Sequence, residues 1–127
     1  MKRGQDEYDR QVIRAALDTL NRGDLLALAP EARQSPNATL EKGREGVAYL
    51  ALKSGVPVVP VGITGTQNVY GAWRQRQRPE IRMRVGTPFH LSSQPGLDRR
   101  ETLQAGHAVI MKHIAHLLPV EYRGYWL

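Results

Sequence analysis

The chain of 127 residues predicts an α/β fold: a partial, mostly parallel sheet with flanking helices. Two observations point to it. Two short apolar runs, Leu25–Ala29 and Val56–Ile63, lie on either side of a helical pattern over Glu45–Lys53. That is the layout of a βαβ unit with a parallel pair, and strand twist makes its crossover right-handed. A third strand and two more helical patterns complete the order α-β-α-β-β-α. The first helix has no strand before it, so residues 1–127 read as a single α/β domain that is incomplete at its N-terminus.

The elements follow in order. From Asp6 to Asn21, Val12, Ala16, Leu17 and Leu20 recur at helical spacing, with Ile13 beside them. Asp6 or Asp9 fits the start, and Gly23 fits the end. Leu25–Ala29 reads as a buried strand, although it lacks β-branched residues. Pro30 stops it, and Glu31–Gly43 is loop-like. The helix over Glu45–Lys53 presents Val47, Leu50, Ala51 and Leu52, and Gly55 ends it. Val56–Ile63 is the second buried strand, with Pro57 at its start and Pro60 marking a bend or an unneeded N–H. Gly65–Pro79 reads as loop. Ile81, Met83 and Val85 then alternate with Arg82 and Arg84, which predicts a half-exposed strand with a basic outer face. Gly86–Gly96 is rich in turn residues. The last helix spans about Asp98 to Leu118, with Leu103, Ile110, Ile114, Leu117 and Leu118 on its core side.

Composition narrows the function classes. Hydrophobic residues make up 41%, enough for a packed core, and the absence of cysteine rules out disulfides, thiolate metal sites and a cysteine nucleophile. Lysine plus arginine is 18 against 12 acidic residues, a formal net charge of +6. Anionic partners are therefore favoured: phosphorylated metabolites, anionic lipid headgroups or nucleic acid. The polar start MKRGQDEYDR lacks the apolar core of a signal peptide. The longest apolar runs fall far short of the ~20 residues that span a bilayer. A cytoplasmic protein, at most peripheral at the inner face of a membrane, is expected.

The informative stretch begins where the first apolar run delivers Pro30-Glu31, with Arg33 following. In open α/β sheets, ligands bind beyond the carboxyl ends of the strands. An arginine there grips a phosphate with paired donors, and a carboxylate beside it orients the arginine or binds a hydroxyl. Arg44 adds positive charge where the second helix starts, a position that itself favours anions. The same residues also fit a solvated loop, with Glu31 as a local cap or ion-pair partner.

The sequence Ala29-Pro30-Glu31-Ala32-Arg33-Gln34-Ser35, then Arg44-Glu45-Gly46 and Val56-Pro57-Val58-Val59-Pro60-Val61, resembles the glycerolipid acyltransferase family, the type that acylates 1-acylglycerol-3-phosphate. There a block reading F-P-E-G-T-R-S ends a strand, K-x-G opens a helix and V-P-V-x-P-V forms the next strand. Lys2-Arg3-Gly4 with Asp9-Arg10 is similar to the tail of the family's second block, and RMRVGTPFHL and IAHLLPVEYRGYW to its C-terminal segment. The resemblance implies that the chain is the C-terminal part of such a domain. It implies Glu31 as the acidic residue of the third block, Arg3 as a phosphate contact and Pro60 as structural or lining the acyl-binding region. With Arg33 and Arg44, these give a substrate-binding set of Arg3, Glu31, Arg33 and Arg44. Two departures stand out: Ala32 replaces glycine, and Gln34 replaces the arginine.

The resemblance also implies an H-x-x-x-x-D pair, with histidine as general base on the acceptor hydroxyl. His90, His107, His113 and His116 are followed five residues on by Pro95, Lys112, Leu118 and Glu121. None is aspartate, so no catalytic residue is assigned and the chain alone is expected to be inactive. A late start codon, a decayed gene, or a subunit borrowing its catalytic half each fit. His113 and His116 share a helix face but lack a carboxylate to complete a metal site, so no metal is assigned. The resemblance implies acyl-CoA or acyl-carrier protein as co-substrate, no cofactor, and a lysophospholipid or glycerol-phosphate acceptor in phospholipid biosynthesis. The alternative is a non-catalytic module that binds anionic membrane or a phosphorylated ligand through Arg74, Arg76, Arg78, Arg82 and Arg84. Nucleic acid is not expected, since aromatics are only 6% and no nucleic-acid motif is present.

Overall fold

The computed structural model describes residues 2–127, with the side chains of Lys2, Arg3 and Gln5 outside that description. Helix α1 covers Lys2–Asn21. It runs through Asp6 and Asp9, so neither caps it, and it ends before Gly23, which takes the left-handed backbone at φ +83°. Helix α2 covers Gly46–Ser54 and closes on Gly55 at φ +71°, whose N–H donates to the Ala51 carbonyl. Helix α4 covers Arg99–His116. Its start is a reciprocal capping box: Glu101 N–H donates to Asp98 Oδ1 (2.8 Å) and Asp98 N–H to Glu101 Oε2 (3.0 Å).

The core gathers on α4. Met111 is fully enclosed, Ile110 and Ala115 nearly so, and Leu118 follows just beyond the helix. Leu40 from the loop completes this cluster, with Ile114, Tyr122 and Trp126 packed against it. Helix α2 crosses α4 closely because small residues meet: Ala48 is fully buried, and the Gly106 backbone faces Ala48, Leu52 and Leu91. Helix α1 packs on α2.

The expected parallel sheet is not what forms. Among the described residues the sheet has two antiparallel strands, β1 (Val61–Thr64) and β2 (Arg82–Val85), with Val61 opposite Val85 and Ile63 opposite Met83. Leu25–Ala29 forms no strand, and Leu25 is 87% exposed. With no neighbouring strand to share a ladder, its backbone gains nothing from pairing, and its leucines and alanines add little strand preference. The second run, by contrast, meets a partner that returns from only 17 residues away, between Thr64 and Arg82, and a near partner returning on itself pairs antiparallel.

Pro60 lies just ahead of β1, between it and an isolated bridge at Val58. Gly86 N–H donates to the Pro60 carbonyl (2.9 Å), and Val58 and Phe89 exchange both backbone bonds (2.7 and 2.9 Å). The register slips between these points, a bulge at Thr87–Pro88 opposite Val59.

All four residues of β2 are exposed, so its apolar side is not the covered face the alternation predicts. Gly62 packs on Leu117 and Leu118, and Arg84 lies opposite Gly62 on that same face. Val61, Ile63, Met83 and Val85 share the other face and are all exposed, Met83 by 65%. The apolar alternation is real, but its apolar side is uncovered. The stretch read as loop after Gly65 also contains a 3-10 turn at Thr66–Asn68 and a short helix α3, Val69–Arg74. Tyr70 and Trp73 meet edge-to-face on it (5.9 Å) and are 76% and 61% exposed.

Candidate functional site

The loop between the first apolar run and α2 folds back on itself, and this brings the candidate residues together. It opens with a tight turn: Ala32 N–H donates to the Ala29 carbonyl (3.2 Å), with Pro30 at the second position, where its fixed φ suits a turn. Ala32, where the resembling block has glycine, sits at φ +58°. The position demands the left-handed backbone, and alanine adopts it at a cost of about 1–2 kcal/mol.

The two limbs of the loop are then tied. Arg44 N–H donates to the Pro30 carbonyl (2.8 Å). Glu41 N–H donates to Glu31 Oε2 (2.9 Å). Arg33 Nη2 donates to Glu41 Oε2 at 2.6 Å, a charge-assisted bond. The hydrogen bond to Glu41, and then its charge, raise the Arg33 pKa above its ordinary value; Arg33 is a permanent cation. Ser35 Oγ accepts from Thr39 N–H (3.1 Å) and closes the tip.

Glu31, Arg33 and Arg44 thus belong to one folded loop. Their roles within it differ from the simplest reading of the sequence. The carboxylate that orients Arg33 is Glu41, ten residues beyond Glu31. Glu31 is half-buried and holds the opposite limb by its backbone. The Arg33 side chain remains 68% exposed, so its remaining donors face solvent. Arg44 is exposed and stands just ahead of α2, whose first turn carries no side-chain cap. Arg3 belongs to α1, and its side chain lies outside the described residues.

The remaining limb is held from far along the chain. The Leu40, Glu41 and Lys42 carbonyls accept from Tyr125 N–H (3.1 Å), Trp126 Nε1–H (2.9 Å) and His107 Nε2–H (2.7 Å). Gly43 follows at φ +79°, where a Cβ would lie 2.9 Å from both the Pro30 oxygen and His107 Cε1. Only glycine meets both demands here.

The other histidines have local bonds. His113 Nδ1–H donates to the Val109 carbonyl (2.8 Å), and its ring stacks on Phe89 (3.9 Å). His116 Nδ1–H donates to the Lys112 carbonyl (2.6 Å) rather than to Glu121. Among the described residues no cluster of three or more His, Asp or Glu is placed to hold a metal ion, and no helix is long and apolar enough to cross a membrane.

Sequence reasoning missed Glu41, His107 and Trp126. Glu41 sits in a loop without periodicity, and the other two reach the site across 65 and 85 residues. Gly43 offered one available signal, a glycine just before the second helix.

A turn, two arginines and two carboxylates thus share one loop that leads into α2. The family model described as Acyltransferase matches residues 1–64, which contain this loop and its flanking segments. That is half of the 127 residues, and the chain belongs to the Acyltransferase family. No solved structure matches it.

Proposed function

We propose that this chain supplies the acceptor-binding part of an acyltransferase of phospholipid biosynthesis. In this reading the loop from Pro30 to Arg44 receives the phosphate of a lysophosphatidic acid or glycerol-phosphate acceptor. Arg33 is the main phosphate ligand, Arg44 supports it and Arg3 contributes from α1. Glu41 orients Arg33, and Glu31 keeps the loop folded. The observation that supports this most strongly is the Arg33–Glu41 pair. Its cation is held by one carboxylate while its outer donors stay exposed, which is how a planar guanidinium is made ready for a phosphate.

The reaction itself is attack of an acceptor hydroxyl on the acyl thioester of acyl-CoA or acyl-carrier protein. The hydroxyl proton needs a base. The four histidines in these 127 residues lack an aspartate five positions on, and His107, His113 and His116 have structural bonds. A base outside this sequence is therefore part of the proposal. The purified 127 residues are expected to give no acyl transfer above a protein-free blank, yet to bind lysophosphatidic acid in preference to a monoacylglycerol of equal chain length. Amide NMR titration checks the second point. Equal shifts with both lipids in residues 30–44 would remove the phosphate-binding assignment.

A second reading has its own observation. From Gly46 to Pro79 there is no acidic residue, while Lys53, Arg74, Arg76 and Arg78 lie in that stretch. Arg74, Arg76, Arg78 and Arg84 have no ion pair among the described residues, and Tyr70 and Trp73 stand exposed beside them. Such a surface suits an anionic membrane face, where aromatic rings and cations sit at headgroup level. Co-sedimentation with vesicles tests it. Binding to anionic vesicles that weakens with salt is expected; equal binding to neutral vesicles would contradict the electrostatic attraction.

A further inference from the structure

We infer that His107 and Trp126 are positioning residues for the anion-facing loop, acting from a part of the chain beyond the family-matched stretch. This rests on the proposed acceptor site for its functional consequence, but the geometry stands by itself. Three successive carbonyls, of Leu40, Glu41 and Lys42, each accept a hydrogen bond from the last 21 residues, His107 to Leu127. Leu40 is bonded on both sides, since its own N–H donates to the Tyr122 carbonyl at 2.8 Å. A loop limb bonded at every carbonyl cannot shift by one residue without breaking several bonds together.

The two side chains also brace each other. The rings of His107 and Trp126 meet edge-to-face at 5.6 Å. His107 is only 6% exposed, and its Nδ1 is buried without a hydrogen-bond partner. Of the ring's two nitrogens only Nε2 is hydrogen-bonded, its N–H donating to the Lys42 carbonyl. An apolar residue would fill the same space more cheaply, because an unpartnered buried nitrogen carries a desolvation cost. The donor is what the position retains. At the tail, Gly124 at φ +53° brings the backbone onto the Leu40 oxygen so closely that any Cβ there would collide. Tail and α4 thus close on the same limb.

The consequence reaches the arginine. Glu41 lies between the two bonded carbonyls of Leu40 and Lys42, and its carboxylate holds Arg33 while its N–H binds Glu31. Fixing the backbone at 40–42 fixes where the Arg33 guanidinium points.

The test uses the whole chain with Trp126→Phe, His107→Phe and His107→Gln. Trp126→Phe keeps an aromatic ring and removes the indole N–H together with part of the ring. Amide hydrogen exchange is read at Leu40, Glu41 and Arg44, with Gly55 at the end of α2 as the internal reference. Trp126→Phe and His107→Phe are expected to speed exchange at the three loop amides by about fivefold or more, the loss of one hydrogen bond, with Gly55 unchanged. His107→Gln, which restores an N–H donor, is expected to return most of the protection. Unchanged loop exchange in Trp126→Phe would overturn the inference, and so would an equal rise at Gly55. In a second arm, lysophosphatidic acid is titrated into each variant. A weakened affinity in both Phe variants, recovered in His107→Gln, is the expected result. Unchanged affinity with loosened loop amides would overturn the link to the site. No binding by the unsubstituted chain would refute the acceptor-site reading and its link to the clamp, leaving the clamp itself to be decided by exchange.

Discussion

Ala32 shows how much one residue's backbone can say. The resembling block has glycine there, and the structure gives the reason: the turn after Pro30 needs positive φ. The methyl group did not move the backbone out of that region, so the turn tolerates a strained residue. Ala32→Gly should therefore stabilise the protein by about 0.5–1 kcal/mol, the relief of left-handed strain less the extra chain entropy of glycine. Denaturant unfolding checks it, and a loss of stability would mean that the turn imposes no such strain. Arg33 was legible as a candidate from the sequence because it follows Pro30-Glu31 at the end of the first apolar run. Its partner was not legible. Adjacent carboxylates compete for one guanidinium, and only the folded loop shows that Glu41 takes it while Glu31 binds backbone.

At the scale of elements, the helices were the readable part. Periodicity placed α2 and α4 within two residues of their observed limits, because each buries one face and a 3.6-residue period records that face; α1 ends where expected but begins at Lys2, a turn before Asp6, and its apolar side is only half-covered, with Val12 50% exposed. Helix α3 escaped notice because six residues are too few to show a period. Strands were harder, since pairing depends on what lies beside them. Leu25–Ala29 has the composition of a strand and no ladder to join. Val61–Thr64 found β2 as a nearby antiparallel partner. The alternation in β2 and the exposure of its arginines were legible, but the expected cover of its apolar side is missing: Gly62 is the residue that approaches Leu117 closely, while Met83 and Val85 are exposed. The two faces should respond very differently to truncation. Met111→Ala on α4, at a fully enclosed position, is expected to cost about 2–5 kcal/mol. Met83→Ala on β2, 65% exposed, should stay within about 0.5 kcal/mol. Paired thermal melts compare them, and a large loss for Met83→Ala would show that its face is covered in solution.

For the whole molecule, long-range closure and charge act together. The C-terminal segment returns to the loop that precedes α2, so the candidate site is built from both ends of the sequence order. The net charge of +6 raises the local concentration of anions around it, and the exposed Arg33 supplies directed donors. Phosphate binding at this loop is what we propose for the molecule as a whole. Its most direct test is a titration of glycerol 3-phosphate into the unsubstituted chain and Arg33→Ala, followed by the amide shifts of residues 30–44. Saturable shifts confined to the loop and the start of α2 are expected. A fall in affinity of about tenfold or more is expected in Arg33→Ala, the loss of a charge-assisted contact, with stability nearly unchanged because the Arg33 side chain is 68% exposed. Shifts that stay the same in Arg33→Ala, or that spread evenly over the basic surface, would contradict it.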